Sequence, residues 1–137
     1  MYGPEGLMEL LRISDYVIVA VALTEETEGM LGAEQFAMSK KGQILINLSR
    51  GPVIIEDDLI AALQDGVVAG AALDVFCEEP LPIESKFWDL ENVLLSPHNA
   101  DQTIDYRHKS VQFFCENCSR FIAGTPLRNI ISASKGY

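Results

Sequence analysis

The sequence predicts an α/β fold built on a partial, doubly wound parallel sheet, and three observations support this prediction. Apolar runs rich in β-branched residues alternate with segments whose apolar residues have helical spacing, which indicates strand-helix-strand crossovers. The first strand run, YVIVAVAL, is apolar throughout, as in parallel strands that helices cover on both faces. No low-complexity tract or Gly-, Ser- or Pro-rich linker interrupts this alternation along the 137 residues.

Four elements are predicted in the first half of the chain. Residues 5–12 carry leucines at helical spacing after a Gly-Pro start, which predicts a short amphipathic helix. The continuous apolar run YVIVAVAL at 16–23 predicts the first strand. A short helix over 32–38 is expected to end at two lysines and a glycine, which suit a helix C-terminus. ILINLS at 44–49 predicts the second strand.

The second half continues the same alternation. Residues 56–64 place leucine and isoleucine on one helical face, with three acidic residues in the first turn and Gly66 as the stop. VVAGAALDV at 67–75 predicts the third strand, and 93–96 a short fourth strand. A single long helix is predicted over 103–123.

Charge and composition exclude several classes of function. Ten Lys+Arg residues against 20 Asp+Glu residues give a net charge of -10, which disfavours binding to DNA, RNA or an anionic membrane. The longest apolar run has eight residues, and a membrane span needs about 20, so none is expected. Three cysteines without a signal peptide favour free thiols in a reducing compartment, so a cytoplasmic location is expected.

Two of the cysteines form a C-x-x-C pattern. Cys115 and Cys118 lie in the predicted long helix, where they are interpreted as helical neighbours, with an oxidoreductase or metal-binding pair as the alternative. His108 lies on the same helix, and no second Cys/His pair occurs at ligand spacing. No metal site is therefore predicted.

Ionisable residues follow three of the predicted strands. Arg50 comes after the second strand, Asp74, Glu78 and Glu79 come at or after the end of the third, and His98 comes after the fourth. Ligands of such sheets bind where the carboxyl ends of the strands open into loops. Each residue alone could be a solvated surface charge or a turn residue. Their coincidence at one edge favours a site with a carboxylate clamp, a charge partner and a proton shuttle.

Five sequence blocks resemble the nucleotide-binding domain of the D-isomer-specific 2-hydroxyacid dehydrogenases. In chain order they are LTEETEGMLG, ILINLSRGPVI, DLIAAL, GAALDVFCEEPLP and NVLLSPHNAD. The resemblance runs from about residue 3 to residue 131 and is more specific than a lone glycine fingerprint. It implies a Rossmann-like fold and an NAD- or NADP-dependent oxidoreductase that acts on small 2-oxo or 2-hydroxy acids.

The resemblance also implies three catalytic residues. Arg50 of NLSRG matches the arginine that binds the substrate carboxylate, and His98 of SPHNA matches the general acid/base. Glu79, directly before Pro80, matches the glutamate that tunes the histidine. A carboxylate beside an imidazole favours its protonated form, so this pair would keep a proton available for reduction of the substrate.

A cofactor-lining set follows from the same resemblance. Asp74 matches the residue that orients the nicotinamide, although it could simply end its strand, and Thr24 could simply cap a turn. The implied cofactor contacts are Thr24, Leu48, Ser49, Arg50, Asp74, His98, Asn99, Ala100 and Asp101.

Three positions depart from the family pattern. Ala22 stands where a proline is usual, and Cys77 stands where an acidic or polar residue is common. Ile55 stands where the family usually has the aspartate that precedes the next helix, so Glu56 is expected to replace it as the helix cap.

The chain contains neither a G-x-G-x-x-G fingerprint nor the acidic residue that follows it for the ribose. By the resemblance, residues 1–137 are therefore the second half of a nucleotide-binding domain, and 103–123 lead toward a missing substrate domain. Two hypotheses remain: part of an enzyme that is homodimeric at full length, or a non-catalytic nucleotide-sensing or truncated protein of the same fold. The coding sequence upstream of Met1 would distinguish them.

Overall fold

The computed structural model describes residues 6–132, which fall into two compact units that divide after His98. The first unit contains a parallel sheet with its crossover helices, and the second contains one long helix and the turns on either side of it. Glu5, with which the first predicted helix begins, lies outside the described residues.

Four parallel strands form the sheet of the first unit. They are β1 (Tyr16–Val19), β2 (Ile44–Asn47), β3 (Gly70–Leu73) and β4 (Val93–Leu95), and they lie in the order of the sequence. All three strand pairs are parallel. The predicted α/β class with a parallel sheet is therefore confirmed.

Three helices belong to this unit: α1 (Leu7–Ile13), α2 (Ala33–Ala37) and α3 (Glu56–Gln64). α3 has the predicted bounds because its acidic first turn and Gly66, at φ 69°, specify its two ends. A short 3-10 turn over Gly51–Val53 follows β2, and a second over Lys86–Asp89 precedes β4. The most deeply buried apolar side chains lie on α1, β2 and α3, in the 3-10 turn before β4 and between elements. They include Leu11, Leu45, Leu59, Phe87, Leu31 and Val68.

Within the first unit, the sheet is covered on one face, which differs from the expectation of two covered faces. Val17 is buried, whereas its neighbours Tyr16 and Ile18 are 68% and 61% exposed, and Leu94 on β4 is 71% exposed. The strand order explains the difference. Right-handed crossovers that advance in one direction across a sheet place their helices on the same face.

All four strands are shorter than predicted, since β2 ends at Asn47 instead of 49 and β4 at Leu95 instead of 96. The apolar run continues after Val19, but β2 ends at Asn47, the register partner of Val19, so residues 20–23 have no strand to pair with. The third predicted strand is trimmed at both ends to Gly70–Leu73. Strand length is thus set by the neighbouring strand as well as by apolar sequence.

The second unit is dominated by α4 (Tyr106–Ile122). The helix is shorter than the predicted 103–123, because residues 103–105 form turns and Gly124, at φ 65°, ends the helix. Arg128 folds back to pair with Glu116 at 2.8 Å, which lowers the pKa of that carboxyl group. Among residues 6–132, no helix is long and apolar enough to cross a membrane.

Candidate active site

A buried asparagine shapes the loop that carries Arg50. Asn47 is 1% exposed at the end of β2, and its side-chain oxygen accepts hydrogen bonds from the Ser49 N–H at 3.0 Å and the Ser49 hydroxyl at 3.1 Å. Its amide nitrogen donates to the Arg50 carbonyl at 3.1 Å. Sequence reasoning missed this role, although a polar residue in the buried run ILIN was the available signal.

Gly51 brings the Arg50 loop against the loop that follows β3. A Cβ atom at Gly51 would lie 1.9 Å from the Phe76 carbonyl carbon and 2.3 Å from the Cys77 nitrogen. These distances are far below van der Waals contact, so only glycine permits this backbone approach. The loops that carry Arg50 and Glu79 therefore touch directly.

Glu79 and His98 form a hydrogen-bonded pair. One oxygen of Glu79 accepts the Phe76 N–H at 2.9 Å, and the other lies 2.7 Å from His98 Nδ1. The hydrogen bond with His98 is the main cause that lowers the pKa of Glu79, followed by the Phe76 N–H, and the charge of Arg50 lowers it further. The structure thus pairs Glu79 with His98 at the carboxyl edge of the sheet, and the charge of Arg50 acts on the same carboxylate.

The backbone at His98 is unusual for a residue other than glycine. Its φ is 50°, in the left-handed region, and it follows Pro97. The imidazole is 42% exposed, so its ring is accessible while Nδ1 stays bound to Glu79. Strained backbone of this kind occurs where a side chain must be presented for function.

Asp74 lies at the end of β3, in contact with both neighbouring strands. It is 3% exposed, its N–H donates to the Asn47 carbonyl at 3.1 Å, and its carboxylate accepts the Ser96 hydroxyl at 2.6 Å. Ser96, just before Pro97, was not among the predicted site residues. This bond ties Asp74 to the loop that presents His98.

An apolar cavity of about 540 Å³ lies beside the Glu79–His98 pair. Its side chains include Phe76, Leu81, Trp88, Leu95, Glu79 and His98. A concave, mostly apolar space with a few polar groups is typical of small-molecule sites.

The other predicted cofactor residues lie in three places. Thr24 donates its N–H to the Thr27 hydroxyl at 2.8 Å, within the turn that follows β1. Leu48 is half exposed, whereas Ser49 is buried and its hydroxyl is bound to Asn47. The remaining three, Asn99, Ala100 and Asp101, are exposed residues in turns of the second unit.

Partly exposed apolar residues lie at the carboxyl edge of the first unit. Val21, Leu23 and Leu48 follow β1 and β2, and the buried Asp74 ends β3. In residues 6–132, no group of three or more His, Cys, Asp and Glu side chains could hold a metal ion.

The expectation that Glu56 caps α3 is wrong. Ile55 occupies the cap position without a side-chain hydrogen bond, and Glu56 is the first helical residue. Its carboxylate instead accepts the Cys77 N–H at 2.8 Å, in the loop after β3. Glu56 thus follows the cap position instead of occupying it, and its carboxylate binds a neighbouring loop.

Cys77 is expected to react slowly with thiol reagents. Burial, the charge of Glu56 and a hydrogen bond to Glu56 raise the pKa of its thiol from 9.0 to about 11, so its thiolate fraction at neutral pH falls roughly a hundredfold. The measurement is disulfide exchange with an aromatic disulfide in a Cys115→Ser, Cys118→Ser background. Glu56→Gln should accelerate the reaction. A Cys77 rate equal to that of a free cysteine peptide would contradict this assignment.

Comparison with known proteins identifies the family. Residues 2–100 match the model of the D-isomer specific 2-hydroxyacid dehydrogenase, NAD binding domain. Glyoxylate/hydroxypyruvate reductase B of Yersinia enterocolitica is 42% identical over 127 residues, which are 93% of this chain and 39% of that protein. This chain thus spans about two fifths of that relative's length.

Solved structures agree with the family match. A D-isomer specific 2-hydroxyacid dehydrogenase from Xanthobacter autotrophicus Py2, in complex with NADPH and MES, superposes with a TM-score of 0.92 and 42% identity over 100% of this chain and 56% of that one. An NADPH-dependent glyoxylate/hydroxypyruvate reductase from Sinorhizobium meliloti, in complex with NADP and sulfate, gives a TM-score of 0.91. Its sequence identity is 35%, and the match covers 99% of this chain and 44% of that one. The chain therefore belongs to the NAD binding domain family of the D-isomer specific 2-hydroxyacid dehydrogenases.

Proposed function

We propose that the full-length protein is an NAD(P)H-dependent reductase of small 2-oxo acids and that this chain supplies its catalytic residues. The observation that carries the proposal is the Glu79–His98 pair beside Arg50. The Yersinia relative and the Sinorhizobium structure are glyoxylate/hydroxypyruvate reductases, and the Xanthobacter structure holds NADPH. Glyoxylate, hydroxypyruvate and NADPH are therefore the first compounds to test.

Arg50 is proposed to bind the substrate carboxylate. A guanidinium presents two parallel N–H donors that match a carboxylate, and it stays charged at all relevant pH values. Asn47 holds the carbonyl of Arg50, and the Arg50 side chain also donates to the Ser49 carbonyl at 2.7 Å. These contacts fix the loop before substrate arrives, which reduces the entropy lost on binding.

His98 is proposed to hold the proton that the substrate oxygen receives. An ionised Glu79 only accepts hydrogen bonds, so His98 Nδ1 carries a hydrogen toward it, and Nε2 is the nitrogen assigned to proton transfer. A bound nicotinamide supplies the hydride for C2 of the acid. The Glu79 carboxylate orients the imidazole, which donates its proton to the carbonyl oxygen.

The remaining proposals concern the full-length protein. We infer that the pyrophosphate-binding half of the domain and a substrate domain lie outside residues 1–137, with α4 leading toward the latter. The share of its relative that this chain covers, 39%, supports this inference. A homodimeric full-length protein stays a prediction, which sedimentation would test.

The experiment that tests the proposed activity is NADPH oxidation by the full-length protein with glyoxylate or hydroxypyruvate. Oxidation that depends on either acid is the expected result. An absence of oxidation with a protein that binds NADPH would instead support the nucleotide-sensing alternative.

Arg50→Lys tests the carboxylate clamp. An ammonium cannot make the paired hydrogen bonds, so kcat/KM should fall roughly ten- to hundredfold, the value of a lost charged hydrogen bond. Arg12→Lys, an identical change at an exposed position on α1, is the matched control and should have no effect. Unchanged KM and kcat in Arg50→Lys would remove this residue from the site.

A further inference from the structure

Glu56 reaches from one element of the site to another. It is the first residue of α3, and the N–H that its carboxylate accepts at 2.8 Å belongs to Cys77, 21 residues away in the sequence. Favourable interaction with the helix dipole alone would not require this contact, since Asp57 lies in the same helical turn and makes only an exposed 3.8 Å ion pair with Lys86.

The backbone that Glu56 holds is the one that orients Glu79. Phe76 N–H, one residue before Cys77, donates to one oxygen of Glu79 at 2.9 Å, and the other oxygen is then available to His98 at 2.7 Å. Gly51 also touches the backbone of Phe76 and Cys77. Two contacts from outside the loop, one steric and one hydrogen-bonded, thus fix the same dipeptide.

We propose that Glu56 is a positioning residue, whose hydrogen bond to the Cys77 N–H fixes the loop that holds Glu79 against His98. Its catalytic importance rests on the proposed function, whereas its effect on Glu79 does not. Without this bond the Phe76–Cys77 backbone loses one of its two anchors. The Phe76 N–H then holds Glu79 less well, and the bond between Glu79 and His98 weakens.

The direction in which the pKa of Glu79 shifts distinguishes a positioning role of Glu56 from a simple charge effect. The charged groups that face Glu79 are His98 and Arg50. Glu78 is adjacent to Glu79 in the chain, and Glu56 binds the N–H of Cys77, two residues before it. Removing the negative charge of Glu56 would by itself lower the pKa of Glu79, because a like charge is lost. Weakening the hydrogen bonds from Phe76 and His98 would raise that pKa. Positioning and simple charge effects therefore shift it in opposite directions.

Two conservative variants separate reach from charge. Glu56→Asp keeps the negative charge but shortens the side chain by one methylene, and Glu56→Gln removes the charge but keeps an oxygen that can accept the Cys77 N–H. Both keep a polar residue at the start of α3. Asp57→Asn is the matched control for loss of charge in the same turn.

The readout is the titration of the Glu79 carboxyl carbon by NMR in the 137-residue chain, followed by kcat in the full-length protein. Glu56→Asp should raise the pKa of Glu79 toward its ordinary value of 4.5 and lower kcat by roughly tenfold without changing the Kd for NADPH. Glu56→Gln should keep the wild-type rate and leave the pKa of Glu79 at or slightly below its wild-type value, because only a like charge is lost. Asp57→Asn should stay near the wild-type titration and rate.

Two results would overturn the proposal. In one, Glu56→Asp leaves the pKa of Glu79 and kcat at their wild-type values; in the other, Glu56→Gln raises the pKa of Glu79 more than Glu56→Asp does. Either result would mean that the reach of Glu56 to the Cys77 N–H is not what holds Glu79 against His98. Because the titration needs no turnover, it distinguishes failure of this inference from failure of the proposed reductase activity, which would leave the NMR result intact.

Discussion

Replacing His98 by alanine in the full-length protein is expected to lower kcat by roughly 10²- to 10⁴-fold, the usual contribution of a general acid/base. The variant loses the group that holds the proton, while Arg50 and the edge of the sheet remain. Binding of NADPH should therefore be nearly unchanged. Steady-state kinetics and a fluorescence titration with NADPH, on the same preparation, measure the two quantities.

The second histidine of this chain provides the control. His108 lies on exposed α4 in the second unit, and His108→Ala should retain the wild-type kcat. Equal losses of kcat and of NADPH affinity in His98→Ala would contradict the assignment. They would show that His98 has a structural role, in keeping with its position at φ 50° between Pro97 and the second unit.

Gly51→Ala is expected to have the largest effect on stability. The new Cβ would lie 1.9 Å from the Phe76 carbonyl carbon, and backbone atoms cannot yield as the end of a flexible side chain can. The two loops must separate, at a cost of about 3 kcal/mol or more in the free energy of unfolding. Urea unfolding of the 137-residue chain measures this cost. Any folded Gly51→Ala protein should also lose activity, because Arg50 and Glu79 move apart.

Gly42→Ala is the matched control for this substitution. Gly42 has open space around its Cβ position but a φ of 87°, so alanine there meets backbone strain without a clash. Its expected cost is about 1 kcal/mol. A Gly51→Ala protein that is no less stable than Gly42→Ala would contradict the close contact between the two loops.

The parts of the fold that local sequence determines were predictable. α3 was predicted with the observed bounds, since its acidic first turn and Gly66 lie within the segment itself. Arg50, Glu79 and His98 were predicted because each follows a strand, and parallel strands bring their carboxyl ends to one edge. The pairing of Glu79 with His98 came from the family resemblance, and the 2.7 Å contact agrees with it.

The missed features depend on contacts between distant segments. The contacts of Asn47 and Ser96 form only when the loops after β2 and β4 are in place, and Glu56 binds a loop 21 residues away. The length of β1 depends on where β2 ends. Single-segment patterns contain none of this information, so helix capping was the wrong expectation for Glu56.

Deuterium transfer from the cofactor measures hydride delivery to the substrate in the full-length protein. The full-length protein is incubated with NADPH deuterated at the transferable position of nicotinamide C4 and with glyoxylate or hydroxypyruvate, and the product is examined by mass spectrometry and NMR. We predict that the wild type forms hydroxy acid with deuterium at C2. His98→Ala should form almost none of this labelled product. Unlabelled product, or equal labelling rates in both proteins, would contradict this prediction.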